Sequence, residues 1–95
     1  MTEEMKTVFI GRKPAMSYVL AVITSFSAAN TKEITLKARG QAITTAVDVA
    51  EITRSRFLKD LKINKITIGT EQMPPREGES NARMVSTMEI SLAKE

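Results

Sequence analysis

Twice in this chain a short apolar strand runs through a basic turn directly into a helix, first at Gly11-Arg12-Lys13-Pro14 and again at Lys37-Ala38-Arg39-Gly40. No other feature restricts the fold as strongly. A strand, a helix and a further strand form a crossover unit, and helical crossovers require the strands they join to run parallel. Both basic turns then fall at one edge of a sheet.

The chemistry of that edge follows from its helix starts. The first turn of a helix leaves backbone N–H groups unpaired and carries partial positive charge, so an anion beside added Arg or Lys is favoured twice over. Pro14 suits a first helical position but removes one donor, which leaves much of the attraction to Arg12 and Lys13. From spacing alone, Arg12 and Lys13 read equally well as solvated loop charges or as phosphate contacts. Lys37 and Arg39 carry the same two readings, although Lys37 alternates away from the sheet core and both sit near the phosphate-binding edge, with Arg39 the stronger candidate. Tyr18, the only tyrosine, is either a packing residue or a hydrogen-bond donor to phosphate.

Periodicity supplies the remaining elements. Residues 7–10 form a short strand of β-branched and aromatic type. The first helix follows, with Met16, Val19, Leu20, Ile23 and Phe26 at helical spacing and Asn30 as its stop. Residues 33–38 alternate, placing Ile34 and Leu36 on one face and Thr35 and Lys37 on the other. A second helix over residues 40–57 buries Ile43, Ala46, Val47 and Ala50 and exposes Asp48, Glu51 and Ser55. Residues 62–73 form a strand with Ile66 and Ile68 on its core face, stopped by Pro74-Pro75. Residues 82–93 alternate through Met84, Met88, Ile90 and Leu92.

The order βαβαββ predicts an α/β two-layer sandwich: a mixed four-stranded sheet, two helices on one face, and a long final hairpin. The third strand returns towards the basic turns, so the hairpin tip emerges beside them. Its strands are about twice the length of the first two, which at ~3.3 Å per residue projects an arm of about 20 Å. Arg76 and Arg83 near the tip suit a groove of a duplex, while Glu77 and Glu79 temper its charge.

Composition bounds the chemistry. A chain of 95 residues with 42% hydrophobic content is one small domain with little surplus stability, which is compatible with self-association. The absence of Cys and His excludes disulfides, zinc sites of the usual kind and Ser-His or Cys-His catalysis. The default is an intracellular protein without a cofactor, and the acidic start Met1-Thr2-Glu3-Glu4-Met5 does not resemble a signal peptide. Residues 14–31 carry no charge, but Ser17, Tyr18, Thr24, Ser25, Ser27 and Asn30 interrupt them, which fits a buried helix better than a membrane span.

The net charge of +3 conceals a segregation: residues 6–65 hold 11 basic and 4 acidic side chains, so the flanks are acidic in balance. That asymmetry suits a polyanionic partner. Asp48 and Glu51 share a helical face, yet without a third ligand they read as solvated charges rather than a metal site. Met73, Met84 and Met88 read as packing residues. Phe57-Leu58, beside Arg54 and Arg56 at a helix end, reads either as a cap on the core or as a small association surface.

Taken in order, the runs Gly11-Arg12-Lys13-Pro14-Ala15-Met16-Ser17-Tyr18-Val19-Leu20-Ala21, Lys37-Ala38-Arg39-Gly40, Ala46-Val47-Asp48 and Arg54-Ser55-Arg56-Phe57-Leu58 resemble the Alba (Sac10b) family of archaeal DNA/RNA-binding chromatin proteins. Val85-Ser86-Thr87 with Glu89-Ile90 resembles that family's last strand, so the likeness spans nearly the whole chain. It implies a non-enzymatic homodimer, cytoplasmic and chromosome-associated, that coats double-stranded DNA with little sequence preference, also binds RNA, and reaches along the duplex with two hairpin arms. It makes Arg12, Lys13, Tyr18, Lys37, Arg39, Gln41, Arg76 and Arg83 the expected nucleic-acid contacts. It also makes Lys13 the candidate acetylation site and Phe57 a dimer-to-dimer contact. Gln41 and Thr45 stand where that family commonly carries bases, and Arg83 lies two residues before Val85 where the family's arginine adjoins the Val-Ser-Thr run.

Two other functions are compatible with the same residues. One is an RNA-dedicated subunit of a ribonucleoprotein complex. The other, of a different class, is a small enzyme that holds a phosphate ligand at the two helix starts, which predicts saturable mononucleotide binding. Few aromatic residues argue against systematic stacking of single-stranded bases, so contacts to a duplex backbone are expected to dominate recognition.

Overall fold

A computed structural model of the chain describes residues 4–28 and 31–94. The elements are strand β1 (Glu4–Phe9), helix α1 (Ala15–Ser27), β2 (Thr31–Arg39), α2 (Ala42–Ile52), β3 (Leu61–Met73) and β4 (Arg83–Lys94). They form a four-stranded sheet in the order β1-β2-β4-β3. β1 and β2 are parallel, and β4 runs antiparallel to both of its neighbours, β2 and β3. β3 therefore points the same way as β1 and β2, and the ends of all three strands lie at one edge of the sheet. The predicted βαβαββ order and mixed sheet are those observed.

The two helices lie on one face of the sheet. The alternation read in β2 is realised there, with Ile34, Leu36 and Ala38 buried, paired across the rungs with Leu92, Ile90 and Met88. α1 buries Val19, Val22 and Phe26, at spacings of three and four. α2 buries Ala46, Val49 and Ala50 against them, and Thr53 continues the same face. Burying the two aliphatic layers against each other removes apolar area from water at roughly 25 cal/mol per Å², the main favourable contribution in a domain this small.

Several expected core positions are not buried. Met16 and Leu20 of α1 and Val47 of α2 are exposed, and Ile23 and Ile43 are half-buried. Each helix touches the sheet along a stripe narrower than the run of apolar residues it carries, and Val22 and Val49 occupy the stripe's centre instead. Ile66 and Ile68 do share the helix-side face, opposite Ile90 and Met88, but they are 52% and 74% exposed because neither helix packs over β3. Met84 is exposed as well, since it lies past the end of β2.

The two helices end in different hydrogen bonds, one local and one long-range. α2 finishes in a widened turn, Thr53–Phe57, in which the Leu58 N–H donates to Thr53 O, five residues back, at 2.8 Å. α1 carries no basic residue in its last turn, and Lys94 from β4 serves instead: its Nζ donates to Phe26 O at 2.7 Å and stands 5.6 Å from the Phe26 ring centre. The expected helix stop at Asn30 lies outside the described residues. Among the described residues, no helix is long and apolar enough to cross a membrane.

Candidate nucleic-acid interface

The first basic turn is held from within α1. The Tyr18 hydroxyl oxygen accepts the backbone N–H of Gly11 at 2.9 Å and of Lys13 at 3.1 Å. An oxygen that accepts twice keeps its own hydrogen for donation, so Tyr18 fixes the turn and still offers a donor beside it. Gly11 permits this close approach: a Cβ at that position would lie 3.3 Å from the Tyr18 oxygen. At the start of α1, Pro14 makes no side-chain cap and the first turn holds no acidic residue. Its amides are thus left without a carboxylate competitor for an anion.

The second basic turn is tied to the hairpin. Gly40 adopts φ +58°, a left-handed conformation that non-glycine residues reach only at a cost, and its N–H donates to Ser86 O of β4 at 2.8 Å. The chain then enters α2 through Gln41, again with no side-chain cap and no acidic residue in the first turn. The two turns are linked at their base, where Ile10 N–H donates to Lys37 O at 2.8 Å.

Pairing between β2 and β4 stops at Arg39 opposite Thr87, while β3 and β4 continue through four further rungs, from Thr70 opposite Ser86 to Met73 opposite Arg83. At ~3.3 Å per residue the paired overhang is about 13 Å, with residues 74–82 extending it. Between this arm and the two turns lies a groove of about 1370 Å³. Arg12, Lys13, Arg39, Gln41, Arg76 and Arg83 line it, with Glu79 as the acidic member and Met73, Met84 and Val85 as an apolar wall. Arg83 lines this groove despite its offset from Val85, and its Nε is buried without a hydrogen-bond partner.

Tyr18 is not among the residues lining the groove, and two further expected residues lie away from it. Lys37 points to the helix-free face of the sheet and lines a separate hollow with Phe9. Phe57 closes the widened turn after α2, half exposed and away from the groove. Spacing gave no sign of the ion pair that Arg39 Nη1 makes with Glu71 Oε1 at 3.1 Å, or of its 3.5 Å contact with Met73 Sδ. Only the strand order, which seats β4 between β2 and β3, brings these residues within reach. Among the described residues no group of three or more potential ligands could hold a metal ion, and Glu51 is engaged by Arg54 instead.

Residues 6–70 match the family model described as Alba. The chain belongs to the Alba family. Similar Alba proteins include "DNA/RNA-binding protein Alba" of Picrophilus torridus, 48% identical over 94 residues that cover 99% of this chain and all of that one. "DNA/RNA-binding protein Alba 1" of Archaeoglobus fulgidus is 53% identical over 88 residues, covering 93% of this chain and 94% of its own. The solved structure of Alba from Thermoplasma volcanium superimposes with a TM-score of 0.83 at 46% identity, covering 93% of this chain and 99% of that one. The Alba family is one of nucleic-acid-binding proteins rather than enzymes. The family match holds both basic turns and stops before the hairpin tip, so Arg76 and Arg83 join the site through the fold alone.

Proposed function

We propose that this Alba protein is an architectural protein of the chromosome, which binds double-stranded DNA with little regard to sequence and also binds RNA. One observation carries the reading: a single groove gathers Arg12, Lys13, Arg39, Arg76 and Arg83 from three separate segments, beside two helix starts free of acidic residues. Such a surface neutralises phosphates through charge-assisted bonds and backbone amides, which carry no base information. The relatives' designation as DNA/RNA-binding proteins supports it.

The working unit is a homodimer. Its support is the uncovered helix-side face of β3, where Ile63, Ile66 and Ile68 are 36%, 52% and 74% exposed in a row. A second copy laid against this strip removes it from water and sets two arms on one duplex. Phe57, 48% exposed at the end of its turn, joins neighbouring dimers along the duplex. Lys13 is the lysine whose acetylation would remove a charge from the groove. Tyr18 donates its hydroxyl hydrogen to phosphate, and Gln41 contributes a neutral donor.

The test is fluorescence anisotropy with matched duplex DNA, duplex RNA and single-stranded DNA of unrelated sequences. Sequence-tolerant duplex binding that weakens steeply with salt is the expected result. A marked preference for structured RNA would assign the chain to a ribonucleoprotein complex, and no binding to any of them would overturn the proposal.

A further inference from the structure

The helix-free face of the sheet holds a residue that the phosphate groove leaves unexplained. The outward positions nearest it on the first two strands are polar, with Thr7, Thr35, Lys37 and Arg39 in alternation, yet Phe9 stands among them 73% exposed. A strand with one face in water normally carries polar residues there. Phe9 breaks that pattern at the last position of β1, immediately before the basic turn.

Its surroundings define a chemistry. Phe9 lies opposite Lys37, Lys37 opposite Glu89, and Glu89 opposite Thr67, so an aromatic ring, a cation and a carboxylate follow one another across a single rung. Neighbouring strands are about 4.8 Å apart, which puts the backbones of Phe9 and Glu89 roughly 10 Å from each other, about the span of a base with its sugar. Phe9, Lys37 and Glu89 line a hollow of about 480 Å³ together with Arg39, Glu71 and Thr87. Arg39 and Ile10 line both this hollow and the basic groove, so the two surfaces are continuous.

Resting on the nucleic-acid reading above, we propose that this hollow takes one unpaired base of a single strand that leaves the groove. The base stacks on Phe9, its phosphate lies between Lys37 and Arg39, and Glu89 accepts a hydrogen bond from an exocyclic amino group. A mixed set of charges fits this occupant better than a duplex backbone. Two carboxylates would repel a run of phosphates, whereas a carboxylate is the acceptor that the amino groups of cytosine, adenine and guanine require. The site therefore favours cytosine over uracil or thymine. The apolar strip on β3 lies on the opposite face and at the opposite edge of the sheet, so pairing of two copies there leaves Phe9 open.

The experiment compares a blunt DNA duplex with the same duplex carrying a three-nucleotide cytosine overhang, titrated by anisotropy with the wild-type protein, Phe9→Ala and Phe9→Tyr. The proposal predicts that the overhang tightens wild-type binding about tenfold. Phe9→Ala loses that gain, Phe9→Tyr keeps it, and all three bind the blunt duplex equally. A thymine overhang, or Glu89→Gln with the cytosine overhang, gives a smaller gain. If the wild type binds the blunt duplex but the overhang adds nothing, or if its gain survives in Phe9→Ala, the stacking site is overturned and the duplex-binding reading stands. If even the blunt duplex fails to bind, both are overturned.

Discussion

Arg39 reaches across β4 to Glu71, with Nη1 and Oε1 3.1 Å apart and both side chains half exposed. The pair ties the base of the hairpin arm to the strand that carries the second basic turn, and it occupies a cation that lines the groove. A phosphate arriving in the groove competes with Glu71 for that guanidinium. An exposed pair of this kind contributes about 1 kcal/mol or less to stability, so its effect on binding outweighs its effect on folding.

Glu71→Gln is accordingly expected to strengthen duplex binding several-fold at low salt and to lower the thermal midpoint by no more than about 5 °C. Anisotropy titrations and a melting curve on the same preparation check this. Unchanged or weaker binding would show that Arg39 is not held back by its partner.

Tyr18→Phe removes the acceptor of two backbone N–H groups in the first basic turn. The amides of Gly11 and Lys13 should exchange with solvent faster, stability should fall by about 1 kcal/mol, and duplex affinity should drop several-fold. Hydrogen exchange resolved at those two amides is the discriminating readout. Protection equal to wild type would mean that the hydroxyl does not fix the turn.

Gly40→Ala places a Cβ on a residue at φ +58° whose N–H is bonded to Ser86. The substitution should cost about 1–2 kcal/mol in denaturant unfolding, and Gly40→Asn less, because asparagine tolerates the left-handed region. Equal losses for the two variants would show that the left-handed backbone is not the cause, since the added Cβ meets the Val85 side chain only at an ordinary 3.5 Å contact.

The same sequence signals that located the edge of the sheet did not locate its uncovered flank. Alternation in β2 correctly turned Ile34 and Leu36 inward, because a strand beneath two helices has one dry face and one wet one. In β3 the period of two correctly assigned Ile66 and Ile68 to the helix side, yet no helix covers that strand, since β4 inserts between β2 and β3 and takes the covered place. Periodicity reports which side a residue faces and says nothing about what lies over it. The convergence of the turns and the hairpin was legible for a different reason: strand direction follows from connectivity alone. Pairing of Arg39 with Glu71, 32 positions away, depends on strand order and was not legible.

Ile68→Glu probes the dimer. Ile68 is 74% exposed in the single chain, so a carboxylate there leaves the fold intact, while burying it against a second copy without a partner costs several kcal/mol. Sedimentation should report a monomer for the variant and a dimer for the wild type, with unchanged far-UV circular dichroism. A dimer in both would place the interface elsewhere.

Whether nucleic acid lies in the groove between the turns and the hairpin is decided by the salt dependence of duplex binding, measured for the wild type and for Arg12→Ala/Lys13→Ala. Each phosphate neutralised contributes about 0.9 to the slope of log affinity against log salt. If the groove is the phosphate site, the double variant binds every duplex more weakly and its slope is shallower by nearly 2. An unchanged affinity and slope would contradict that placement of the nucleic acid.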